Sequence, residues 1–105
     1  MSQNIADILD RAADLIEPEG AWTQMDWGNR EDCFCMLGAV AYAAGIDPDS
    51  PWSGNPACEA RVPLTEVIGV PIFELTEWND TPGRTQAEVV AKLREAAAKA
   101  REAQA

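Results

Sequence analysis

A chain of 105 residues, 47% of them apolar, can build one core of modest size and little more. Eighteen acidic residues against eight basic ones leave it at a net charge of −10. It contains no histidine, so the usual neutral-pH proton shuttle and the commonest metal ligand are both missing. The charge is uneven: residues 1–80 hold 15 of the 18 acids and 3 of the 8 bases, whereas residues 81–105 carry a small positive excess. An acidic body of this kind repels nucleic acid and favours basic partners. The three cysteines are an odd number, and neither a cationic-then-apolar leader nor an apolar run of membrane-spanning length is visible. The expectation is a cytoplasmic protein with reduced thiols, without a disulfide framework and without membrane contact.

In chain order, the first segment is "SQNIADILDRAADLIEPEG". Ile5, Ile8, Leu9, Ala12, Leu15 and Ile16 repeat at the spacing of one helical face, with Ser2 or Asn4 to cap the start and Pro18 with Gly20 to end it. Asp7, Asp10, Asp14 and Glu17 fall opposite that face as an acidic stripe, extended by Glu19 and Asp26. The irregular stretch "AWTQMDWGNRED" follows, where Trp22 and Trp27 are expected to fold back onto a core. "DCFCMLGAVAYAAG" predicts a helix over 35–44, capped by Asp32 and closed by Gly45. Its apolar residues surround the axis completely, the pattern of a buried central helix, expected here between the first and last helices.

After the turn residues of "IDPDSPWSGNP", Pro63 and Pro71 argue against one continuous helix. Short helical pieces near 57–61, 64–69 and 72–79 fit, and a hairpin over "VPLTEVIGVPIFEL" competes with them. The last segment is clear. Thr85 and Glu88 form a capping box, Val89, Val90, Leu93, Ala96, Ala97 and Ala100 share a face, and Glu88–Lys92 and Glu95–Lys99 are spaced to pair. Residues 1–105 are therefore expected to form a single all-α domain, a compact helical bundle with a buried central helix.

Chemistry is scarce. A structural zinc site needs four ligands from Cys and His, and this chain offers Cys33, Cys35 and a distant Cys58. Within a helix Cys33 and Cys35 would point about 200° apart. Cys35 sits near a helix start, where the dipole lowers a thiol pKa, but no histidine can serve as its base and its neighbours are apolar. Core packing is the expected role. Glu77 and Asp80 in "EWND" are a candidate carboxylate pair, yet Asn79, Asp80 and Thr81 are also ordinary turn residues. No glycine-rich phosphate loop and no basic, aromatic-interleaved surface is present. No catalytic residue, metal or cofactor is assigned.

The stretches "ADILDRAADLIEPEGAWTQ", "CFCMLGAVAYAAG" and "WNDTPGRTQAEVVAKLREAA" resemble the family known as domain of unknown function 6197, over nearly the whole chain. Its members are small proteins of actinobacteria and their phages. The family has no assigned activity, so the resemblance carries no catalytic residue across. It implies an accessory protein of the cytoplasm, the host cytoplasm if phage-encoded.

Three functions compete. The favoured one is non-enzymatic binding to a host protein with a basic surface, through Asp7, Asp10, Asp14 and Glu17, with DNA-charge mimicry as one version. The second is a small-molecule or enzymatic pocket among Trp22, Trp27, Cys35, Trp78, Asn79 and Asp80. The third is self-assembly of a structural subunit through the alanine-rich last helix.

Overall fold

The structure is a computed structural model that describes residues 4–24, 33–46 and 56–104. Its helices are α1 (Ile5–Ile16), α2 (Met36–Ala43), α3 (Pro56–Ile68), α4 (Leu75–Asp80) and α5 (Gln86–Gln104), with a 3-10 turn, Ile72–Glu74, leading into α4. The fold is all-α, and among the described residues no helix is long and apolar enough to cross a membrane. The hairpin alternative is not adopted.

α1 forms as its periodicity requires. Asn4 caps it by accepting from the Asp7 amide at 3.3 Å, and Ile8, Leu9 and Ile16 are wholly buried together with Ala6, Ala12 and Ala13. Burying one such large aliphatic side chain stabilises by about 1.5–3 kcal/mol. α1 lies between α5 and α2 and also touches α3, so it holds the bundle together. α2 is buried on nearly every side, with only Tyr42 exposed, but it packs on α1 and α4 rather than between the first and last helices.

The ends of α2 differ in part from expectation. Its N-cap is Cys35, whose Sγ accepts from the Gly38 amide at 3.3 Å, while Asp32 lies outside the described residues. At the other end Gly45, at φ 77°, closes a Schellman turn: Gly45 N donates to the Tyr42 carbonyl and Ile46 N to that of Ala41. α3 also departs from the short-piece reading, because it runs unbroken through Pro63. A proline in this position forfeits one backbone hydrogen bond and crowds the preceding turn. The compensation is packing, since Ala57, Ala60, Pro63 and Leu64 are all buried.

Several cross-links between helices end on carbonyl groups. The two hydrogens of the Gln86 amide are shared among the carbonyls of Ile16, Glu17 and Pro18 at and just past the end of α1. Arg11 donates to Ala43 O at the end of α2, Lys92 to Val67 O at the end of α3, and Arg84 to Trp78 O in α4. The last turn of a helix leaves carbonyls without intrahelical donors and carries partial negative charge, so basic and amide side chains suit it.

Candidate functional site

Part of the predicted pocket converges. The backbone of Ala21–Thr23 pairs with Phe34 through two hydrogen bonds of 2.8 and 2.9 Å, bringing Trp22 beside the start of α2. Asn79, near the end of α4 and only 2% exposed, sits between them. Its Oδ1 accepts from Trp22 Nε1 at 2.7 Å and from the Met36 amide at 3.1 Å. Its Nδ2 donates to the Thr23 carbonyl at 3.2 Å and to Asp80 Oδ1 at 3.0 Å. A primary amide has two donor hydrogens and two acceptor lone pairs, so every hydrogen-bonding position of Asn79 is filled. Gln24 completes the arrangement, its Nε2 donating to the carbonyls of Asn79 and Thr81.

Cys35 is adjacent and buried, and burial pushes its thiol up to about 11, with the nearby Asp80 carboxylate acting in the same direction. The nucleophile in cysteine chemistry is the thiolate, so this environment suppresses reactivity at neutral pH. Trp78 points elsewhere in the network: the Arg84 guanidinium lies 4.0 Å over its ring. Trp27 and Asp26 fall outside the described residues. Cys33, Cys35 and Cys58 are not joined in disulfides. Among the described residues no three side chains gather in a way that could hold a metal ion.

The acidic stripe is present on α1, and it faces two arginines of α5. Arg94 reaches Asp14 at 2.6 Å, Asp10 at 3.3 Å and Glu17 at 3.7 Å. Arg101 reaches Asp10 at 2.6 Å and Asp7 at 3.3 Å. Partial burial raises the Asp10 carboxyl, but Arg101 and Arg94 together outweigh it and hold the group below the usual carboxylate range. Both guanidiniums are shifted upward in turn, Arg94 chiefly by its hydrogen bond to Asp14 and Arg101 by that to Asp10. The stripe therefore also ties α1 to α5.

Neither arginine was singled out in the sequence, although a signal existed. Arg94 and Arg101 are seven residues apart, as are Asp7 and Asp14, so two helices packed side by side bring them into register. Two predicted pairs on α5 are replaced as well: Glu88 binds Arg84 at 2.9 Å, and Glu95 binds Lys92 at 3.0 Å.

A second concave feature lies between α3 and α5, a groove of about 580 Å³ with Ile5, Val62, Pro63 and Ala100 on its floor. Glu59, Glu66, Glu102 and Lys99 line it as well. All four are exposed, and among the described residues no ion pair takes up any of them. Apolar exposure elsewhere is concentrated at Phe73, which is 81% exposed.

Fold and site together define a small all-α protein whose buried amide and thiol are committed to structure. The chain belongs to the family of unknown function DUF6197, whose model matches residues 1–99. No curated protein and no solved structure matches it.

Proposed function

We propose that this protein is a non-enzymatic binding protein of the cytoplasm that acts by docking on a partner with a basic surface. If the gene is carried by a phage, that partner is a host protein whose activity or defence role it modulates. The observation that carries the reading is the fate of the basic side chains. Arg11, Arg84, Lys92, Arg94 and Arg101 are all engaged within the fold, on helix-end carbonyls or on carboxylates. A molecule of net charge −10 thus commits five of its eight cations to contacts within its own fold and leaves an excess of carboxylates for a partner. The four acids of α1 still outnumber the two arginines that meet them, and remain a candidate contact. The pocket reading is weaker, because Asn79 has no free hydrogen-bonding position and Cys35 is held as a thiol.

The test is capture of partners from a host-type lysate by tagged full-length protein, washed at low and high salt. One stoichiometric partner, released by salt, is the expected result. No partner at either salt would overturn the proposal and return attention to a small-molecule ligand.

A further inference from the structure

Resting on the basic-partner reading above, we infer that the groove between α3 and α5 is a docking site for a basic amphipathic helix of a partner protein. The floor is apolar: Pro63 and Ala100 are buried, Ile5 is partly covered, and Val62 is 49% exposed. The rim is acidic, with Glu59, Glu66 and Glu102 against one cation, Lys99, among the described residues. Glu59, Val62, Pro63 and Glu66 follow the i, i+3, i+4, i+7 spacing of one helical face. At a rise of 1.5 Å per residue, the two carboxylates of α3 stand about 10 Å apart along the axis, with the apolar residues between them.

A helix laid in this groove would place apolar side chains at i+3 and i+4 on the floor and Lys or Arg at i and i+7 against the rim. Helix-in-groove recognition uses that pattern of anchors. The open sides of the groove would leave a small ligand largely hydrated, and a pocket for such a ligand normally encloses most of it. A second copy of this chain is disfavoured by charge. A two-fold contact would set Glu59, Glu66 and Glu102 against themselves, between molecules already at −10 each. The groove also differs from the α1 face in that, among the described residues, no ion pair holds its carboxylates.

The test uses full-length protein and a fluorescein-labelled Leu/Lys amphipathic peptide of about four helical turns. The comparison peptides are one with Glu in place of Lys and one with Ser in place of Leu. Anisotropy titration is expected to give micromolar affinity for the Leu/Lys peptide, falling at least tenfold for either comparison peptide. Val62→Lys combined with Glu66→Lys should lower the affinity at least tenfold, with helical circular dichroism unchanged, whereas Phe73→Ser should leave it as it was. Unchanged binding by Val62→Lys/Glu66→Lys would overturn the groove assignment. If Glu17→Lys weakened binding instead, the basic-partner reading would stand with its site on α1. Equal affinity for the Leu/Glu peptide would remove the charge argument and with it the proposal. A dimer in sedimentation that Val62→Lys dissociates would give the groove to a second copy and overturn it likewise.

Discussion

The two sides of α5 handle charge in opposite ways. Toward α1, Arg94 and Arg101 meet Asp7, Asp10, Asp14 and Glu17 in a ladder of ion pairs, and the acids are partly neutralised where they stand. Toward α3, Glu59, Glu66 and Glu102 border an apolar groove, with Lys99 as the only cation lining it among the described residues. A count of charges cannot separate these faces, since each carries an excess of acid. What separates them is whether a carboxylate already has a partner. A carboxylate that already shares its charge with an arginine attracts a second cation less strongly than one that has no such neighbour.

The scale for testing that contrast is set by the buried amide. Asn79→Leu removes four hydrogen bonds and leaves the Trp22 indole N–H and the Met36 amide without an acceptor. The expected loss is about 3–4 kcal/mol, read as a lower urea midpoint at constant slope. A loss below 1 kcal/mol would mean that water replaces the amide and that the site is open.

Arg94→Ala should have the next largest effect, about 1 kcal/mol at neutral pH and low salt, because exposed pairs contribute little and only the link to the Asp10 carbonyl adds to them. Its pH dependence sharpens the comparison. Asp10 titrates below its ordinary value in the folded state, so its stabilisation is fully present above about pH 4 and is lost as pH falls through the lowered value. The gap in stability between wild type and Arg94→Ala should therefore narrow in acid. A gap independent of pH would show that Arg94 contributes by packing alone.

On the other side of α5, Val62→Lys with Glu66→Lys should change stability by less than about 0.5 kcal/mol, since both residues are exposed and no ion pair among the described residues involves Glu66. A loss comparable to that of Arg94→Ala would erase the contrast, because the groove would then be part of what holds the fold.

Much of this architecture was legible in the residues. The 3.6-residue repeat of Ile8, Leu9 and Ile16 defined α1, the Thr85–Glu88 capping box fixed the start of α5, and Gly45 marked the end of α2. α3 was misread at Pro63 because propensity is local, while the packing of Ala57, Ala60 and Leu64 that outweighs it is tertiary. The sandwich order failed for a similar reason: an apolar surround says that α2 is buried but not by which helices. In the candidate site, Trp22, Cys35, Asn79 and Asp80 lie near one another, yet the filled hydrogen-bond network around Asn79 depends on backbone groups of Thr23 and Met36. Those groups have no signature in a sequence. The acidic stripe was read from α1 alone, and its meaning changed once α5 was laid against it.

The central claim is that a basic partner meets the α3 side of α5 rather than the α1 side. The most direct measurement is a heteronuclear NMR titration of the full-length protein with the Leu/Lys peptide, following methyl, backbone and arginine Nε signals together. The account predicts shifts centred on Val62, Glu66 and Ala100, with the Nε signals of Arg94 and Arg101 unmoved. Shifts centred on Arg94, Arg101 and the carboxylates of α1, with the groove silent, would contradict it.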